Sequence, residues 1–237
     1  MNRIRQVYDI LLNEYGQMGW WPKINDKTLH CEYHVGCPKN EQEALEVAFS
    51  AILAQNTQWN PNAVRAMQQL KLRKLFDPRK IIKIENKELS AIIKPSGYHN
   101  QKAIKLKNFC SFLLERHGGS IAALFNQDIL NLRKELLSVK GIGPETADSI
   151  ILYAGKKPIF VVDSYTKRIL RRIGFKAKDY SEIQELFMDC LPNSEKLFNE
   201  YHALLVELGK KACRKIPLCG TCPINTMCYY YNKMDKN

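Results

Sequence analysis

The sequence predicts an all-α fold, and three observations carry that prediction. Apolar residues recur at helical spacing along nearly the whole chain. No alternating run of useful length interrupts them. Short clusters of Gly, Pro and Ser fall where helices would end. The chain has 237 residues, 45% hydrophobic and 25% charged. That composition excludes a disordered or fibrous protein, and the length suffices for one large domain or two small ones.

The elements follow in order. Ile4, Val7, Leu11 and Leu12 mark a first amphipathic helix. The same stretch lacks the apolar centre of an export signal, and no run of ~18 apolar residues exists to span a membrane. An intracellular protein is expected. Residues 22–42 are polar, carry two prolines and read as a long surface loop. His30, Cys31, His34 and Cys37 within it are zinc-ligand types, but their spacing matches no finger. A solvent-exposed or packed loop is the preferred reading there.

Ala44, Val47, Ala48, Ala51, Ile52 and Leu53 form the next helical stripe. Pro95-Ser96-Gly97 breaks the pattern before another stripe at Ile104, Leu106, Phe109 and Leu113, which ends at His117-Gly118-Gly119-Ser120. Gly141-Ile142-Gly143 then lies between two apolar helical patterns over 136–155. Pro144 suits the first turn of the second helix. A glycine turn at a helix N-terminus exposes backbone N–H groups that can receive a phosphate. Ile159-Phe160-Val161-Val162 is the best strand candidate, although only four residues long. Asp163 follows it and precedes a helix over 164–172. An aspartate there can cap the helix, worth about 1 kcal/mol. A carboxylate at the mouth of an apolar pocket is also a candidate for chemistry on a glycosidic bond.

Charge and cysteine placement add function. With 36 Lys and Arg against 24 Asp and Glu, the net charge is +12. That points to a polyanionic partner, most simply nucleic acid. Basic residues gather at 71–83 and 167–178, a pattern that a solvated helix face also gives. Four of the eight cysteines, Cys213, Cys219, Cys222 and Cys228, fall near the C-terminus, with Lys210, Lys211, Arg214 and Lys215 crowding the entry to their loop. Four thiolates in so short a segment must converge. Tetrahedral zinc and a cubane iron–sulfur cluster both take four. The single Cys-x2-Cys with five residues on each side suits a cubane better than a two-knuckle zinc ribbon. Cys110 and Cys190 lie in apolar helical surroundings where ordinary packing accounts for them.

The hairpin at 136–155, the Val161-Val162-Asp163-Ser164-Tyr165 segment and the four-cysteine loop, in that order, resemble the endonuclease III superfamily of DNA glycosylases. The resemblance covers residues 44 to 228. Gly19-Trp20-Trp21-Pro22, Ile52-Leu53-Ala54-Gln55-Asn56-Thr57 and Lys94 to Lys102 narrow it to the branch similar to 3-methyladenine DNA glycosylase. The resemblance implies a two-lobed helix-hairpin-helix fold. One lobe, 44–157, is a six-helix barrel. The other joins 1–43 to 158–237 and holds a [4Fe-4S] cluster on the four cysteines. Double-stranded DNA containing a damaged base would bind across the groove, with the damaged nucleotide flipped into a pocket and the protein acting as a monomer.

The resemblance also assigns roles. Asp163 would be catalytic. Trp20, Trp21, Trp59 and Glu145 would belong to the base pocket. Gln55, Asn56, Lys140, Gly141, Gly143, Lys211, Arg214 and Lys215 would contact DNA. Two departures matter. Bifunctional members carry a lysine nucleophile two residues after the second hairpin glycine, and this chain has Glu145 there. Without that amine no Schiff base forms at this position, and Lys140 lies on the wrong side of the turn. The first cysteine spacing is one residue shorter than in endonuclease III itself. The expected activity is monofunctional hydrolysis of the N-glycosidic bond. An alkylated purine is favoured, with uracil or another damaged base as alternatives. The competing readings are a bifunctional glycosylase with AP-lyase activity and a non-catalytic module that binds DNA structure.

Overall fold

The computed structural model describes residues 2–34, 36 and 38–234. In chain order the helices are α1 (Arg3–Tyr15), α2 (Glu41–Leu53), α3 (Val64–Leu72), α4 (Pro78–Lys83), α5 (Asn86–Ile92), α6 (His99–His117), α7 (Ile121–Phe125), α8 (Ile129–Ser138), α9 (Pro144–Ser149), α10 (Ser164–Ile173), α11 (Tyr180–Cys190), α12 (Glu195–Lys211) and α13 (Tyr229–Met234). The fold is all-α, as the periodicity predicts. Among the described residues no helix is long and apolar enough to cross a membrane.

The chain forms two compact units. One is Trp21–Lys157, and the other is Met1–Trp20 together with Pro158–Asn237. The sequence placed the first boundary at 43/44, whereas it falls at 20/21. The polar segment after Trp21 is pinned to the helices that follow. Lys23 and Ile24 pair antiparallel with Glu32 and Cys31. Ile24 is buried, its N–H donates to Glu46 at 2.9 Å, and its carbonyl accepts from Lys71 at 2.6 Å. Gln68 donates to the Leu29 carbonyl at 2.9 Å. A two-residue ladder is too short to leave an alternating pattern in sequence, so the segment read as a plain loop.

In the first of these units α2 is almost wholly buried. Asn40 caps it by accepting from Glu43 N at 2.9 Å. Lys102 of α6 supports its other end: the buried ammonium donates to the carbonyls of Leu53 (2.8 Å) and Ser96 (2.6 Å). Burial, aided by Lys105, lowers its pKa to about 8. A buried amine is tolerated because two carbonyls satisfy it. Helices α8 and α9 form the hairpin and are braced by Arg133, whose Nε donates to the buried Asp148 at 2.7 Å.

In the other unit α1, α11, α12 and the extended run at 159–162 share a core of Ile4, Leu11, Phe160, Phe187, Phe198 and Tyr201. Phe160 and Phe187 stack at 3.8 Å. Residues 159–162 are buried but make no strand. Gln184 of α11 donates to the Phe160 carbonyl at 2.6 Å, and Val162 N–H donates to Tyr180 Oη at 3.4 Å. Side chains thus satisfy the backbone that a neighbouring strand would have satisfied.

Candidate functional site

Asp163 ends the buried extended run and caps α10, as its place in the sequence predicts. Its Oδ1 accepts from Thr166 N at 2.7 Å and from Thr166 Oγ1 at 2.9 Å. Its Oδ2 lies 3.7 Å from Nε2 of His202 on α12. Burial opposes its ionisation, but His202 and the two Thr166 donors outweigh burial and hold its pKa below the usual carboxylate value. A buried carboxylate kept charged, with one oxygen committed to the cap and the other facing His202, is equipped to stabilise a cation or accept a proton. Nothing in the sequence pointed to His202, which is brought in from far along the chain.

The hairpin turn is built as its sequence suggests. Ile142 is its buried anchor, and its N–H donates to Val139 O at 3.0 Å. Gly141 has φ +99°, and a Cβ there would stand 2.5 Å from Lys105 Cγ. Gly143 has ordinary extended angles, and a Cβ there would meet nothing within 4 Å. Lys140, Gly141, Gly143 and Glu145 are exposed. Glu145 sits in the first turn of α9, at the position where the expected lysine is missing.

Gln55 folds onto this turn. Its amide donates to Thr146 Oγ1 (2.8 Å) and Gly141 O (3.2 Å), and it accepts from Lys105 Nζ (2.5 Å). Asn56 is exposed with φ +50°. The Gly97–Tyr98 loop lies alongside, since a Cβ on Gly97 would sit 4.0 Å from Thr57 Oγ1. Tyr98 is 65% exposed in a left-handed conformation. Lys105 was not singled out from sequence, and Tyr98, although inside the Lys94–Lys102 stretch that carries the resemblance, was given no role there.

Trp21 and Trp59 do come together. Their rings meet edge-to-face at 5.4 Å, and Tyr153 adds a third ring 4.7 Å from Trp21. All three are under 10% exposed. Cys31 borders them: burial raises its thiol pKa, partly offset by hydrogen bonds from Trp59 and Tyr33. Cys37 lies outside the described residues. Among the described residues no three His, Cys, Asp or Glu side chains form a group that could hold a metal ion. Trp20 belongs to the other unit, where Lys210 Nζ stands 5.7 Å from its ring.

The C-terminal cysteines are held by α10. Arg168 donates to Cys213 O (2.9 Å) and Gly209 O (3.2 Å). Arg172 donates to Cys213 Sγ (3.2 Å), Arg214 O (2.5 Å) and Lys215 O (3.0 Å). These two arginines read as part of a solvated basic face, yet they are structural anchors. Burial, then the charges of Cys213, Cys228 and Cys219, push the Cys222 thiol up to about 11, and burial with Cys228 and Cys213 raises Cys219. Among the described residues, these four cysteines included, no group of three ligands is drawn together closely enough to hold a metal, so the fit rests on the chemistry of the donor set. An all-thiolate donor set of this kind suits an iron–sulfur cluster and needs the cluster's positive charge to stay deprotonated. Lys211, Arg214 and Lys215 are exposed around it.

The chain matches the family of HhH-GPD superfamily base excision DNA repair proteins over residues 49–193. The chain belongs to this superfamily. A Methanocaldococcus jannaschii protein, MJ1434, whose name assigns it provisionally to the DNA repair glycosylases, is 43% identical over 95% of both chains. The HhH-GPD fold recurs in solved structures. The Helicobacter pylori 3-methyladenine DNA glycosylase MagIII bound to 1,N6-ethenoadenine aligns with TM-score 0.70 and 25% identity over 89% of this chain and 98% of its own. A non-covalent endonuclease III–DNA complex aligns with TM-score 0.76 and 21% identity over 100% of both. The HhH-GPD match spans the hairpin and Asp163, so both features lie inside the region that defines the superfamily.

Proposed function

We propose that this HhH-GPD protein is a monofunctional DNA N-glycosylase that hydrolyses a damaged base, an alkylated purine above others, from double-stranded DNA. The state of Asp163 carries this reading. It is a buried carboxylate held ionised, with Oδ2 directed away from the helix cap it makes with Oδ1. As the C1′–N bond breaks, the electron pair leaves with the base and positive charge develops on the sugar. A fixed carboxylate stabilises that charge; a lone pair of a water oxygen then bonds to C1′, and the water's proton passes to the carboxylate and on to solvent, leaving C1′–OH.

The remaining residues supply binding and orientation. The N–H groups at Gly141 and Gly143 receive a phosphate, with Lys140 beside them. Asn56 and Tyr98 are exposed and reach into the duplex. Gln55, tethered to the hairpin, links that grip to the lesion. The buried cluster of Trp21, Trp59 and Tyr153 would back the base pocket, and an electron-rich aromatic wall favours a cationic alkylated purine. Such a base is a good leaving group and needs no strong general acid. Glu145 also belongs to the base pocket in this proposal. Glu145 in place of lysine leaves no amine for lyase chemistry at the hairpin. Cys213, Cys219, Cys222 and Cys228 would hold a [4Fe-4S] cluster. When bound, that cluster would cross-link the loop carrying Lys211, Arg214 and Lys215 against the DNA backbone.

The test is base release from duplexes carrying 7-methylguanine, 3-methyladenine, 1,N6-ethenoadenine, hypoxanthine, uracil or 8-oxoguanine. Release of alkylated purines, with no borohydride cross-link on an abasic duplex, is expected. A borohydride cross-link would establish the bifunctional alternative. Binding without release of any base would establish the non-catalytic one.

A further inference from the structure

Two loops distant in sequence are tied to α6 by one side chain. Residues 54–57 leave the end of α2, and residues 93–98 join α5 to α6. Each loop presents an exposed residue in the left-handed region, Asn56 at φ +50° and Tyr98 at φ +46°. A bulky side chain rarely adopts that region unless its surroundings impose it. The ammonium of Lys102, on α6, donates to Leu53 O at 2.8 Å and to Ser96 O at 2.6 Å, and the residue is only 2% exposed. Leu53 O belongs to the last turn of α2, where the helix leaves carbonyls without a partner. Thr57 N, which a continuing helix would direct at Leu53, turns back to Ala54 O instead. Ser96 O immediately precedes Gly97 and Tyr98. The same two loops approach each other, since a Cβ on Gly97 would sit 4.0 Å from Thr57 Oγ1.

Fold stability gives little reason for a lysine at this place. Burial, then the neighbouring Lys105, lower its pKa from 10.5 to about 8. The folded state thus disfavours its charge, and two hydrogen bonds to carbonyls offset only part of that cost. The distinctive contribution of the ammonium is geometric. One nitrogen fixes the backbone just ahead of both exposed residues, so neither loop moves without the other. Loops fixed before DNA arrives spare the encounter the cost of ordering them.

We propose that Lys102 is a positioning residue that sets the spacing of the 54–57 and 93–98 loops, so that Asn56 and Tyr98 enter the duplex together at the lesion. The proposal rests on the glycosylase function proposed above, in which both residues reach into DNA, and deepens it. Lys102 itself touches no base. Displacing a nucleotide from the stack costs free energy, and two side chains entering at a fixed separation fill the gap as it opens. Side chains on loops that drift separately enter one at a time, and the stack can close between them.

The full-length protein, its Lys102→Met, Lys102→Arg and Tyr98→Ala variants and the Lys102→Met/Tyr98→Ala double variant test this. The first measurement is the preference for a gapped stack: the Kd for an undamaged duplex divided by the Kd for the same duplex carrying a tetrahydrofuran abasic analogue. It needs no turnover. The second is single-turnover release of 7-methylguanine at saturating enzyme. Lys102→Met is expected to cut the preference about tenfold and to slow release by a similar factor, with undamaged duplex bound as before. Lys102→Arg, which keeps donors for both carbonyls, should recover part of the loss. In the Tyr98→Ala background, Lys102→Met should cost clearly less than in the parent, because the two act through one loop. Fully additive losses, or a Lys102→Met preference within about twofold of the parent, overturn the proposal. A Lys102→Met chain that fails to fold, or that binds both duplexes equally more weakly, makes Lys102 a fold support and also overturns it. If the parent releases base and Lys102→Met matches it in both measurements, the positioning role falls and the glycosylase reading stands. If the parent releases no base, yet Lys102→Met loses the abasic preference, the glycosylase reading falls and the positioning role stands.

Discussion

The guanidinium of Arg168 donates to the backbone carbonyl of Cys213 at 2.9 Å, and Arg168 lies on the helix that Asp163 caps. One rigid element therefore carries the candidate catalytic carboxylate at its start and the anchor of the cysteine loop on its flank. Replacing Arg168 by Gln removes charge-assisted bonds to Cys213 O and Gly209 O. A loss of about 1.5–3 kcal/mol in unfolding free energy is expected. Urea denaturation, with iron measured on the same samples, checks it; unchanged stability and iron content would show that the anchor is dispensable.

Asp163→Asn separates two roles of one residue. Asparagine caps helices as well as aspartate does, so α10 should persist and stability at neutral pH should change by less than about 1 kcal/mol. Base release should be lost because the carboxylate charge is gone. Acid behaviour should differ too. The folded pKa of Asp163 lies below its ordinary value of 3.8. Its ionised form thus adds stability that is full above that value and disappears as pH falls through the folded pKa. Thermal unfolding across this range should show the loss in the parent protein and not in the variant.

Gly209 is a packing requirement. Alanine there would collide with the Tyr165 ring at 2.3 Å and also approach Tyr165 Cβ at 3.0 Å. Gly209→Ala is expected to cost about 1–3 kcal/mol. Tyr165→Ala in the same chain should return part of that, and a double-mutant cycle on urea midpoints measures the coupling.

Lys102 leaves a signature at alkaline pH. Its folded pKa is about 8, against 10.5 when free. Below the lower value both states are protonated and the cost of burying the ammonium is fully present. Between the two values the unfolded chain holds a proton that the folded chain has released, so this group makes stability rise with pH. Lys102→Met should flatten that rise relative to the parent, read as the difference between their unfolding free energies. A parallel pH dependence in both proteins would assign the effect elsewhere.

What the sequence disclosed and what it hid divide along one line. The hairpin, the Asp163 cap and the cysteine loop depend on neighbouring residues: Gly and Pro for the turn, an acid before a helix, fixed cysteine spacing. Those signals survive in one dimension. His202, Tyr153, Lys105 and the anchoring role of Arg172 arise only when distant helices meet, and their residue types suit many other places. The apolar run at 159–162 misled for a related reason. Four buried extended residues look alike whether a strand or the side chains of Gln184 and Tyr180 serve their backbone.

The two glycines of the hairpin answer to different demands. Gly141 is dictated by architecture, since its φ of +99° and the closeness of Lys105 leave no place for a side chain. Gly143 has common backbone angles and open space where a methyl would go. The fold thus tolerates alanine at 143 and resists it at 141. These two substitutions split the turn into a half that folding dictates and a half that it leaves open, and the second can be altered without disturbing the first.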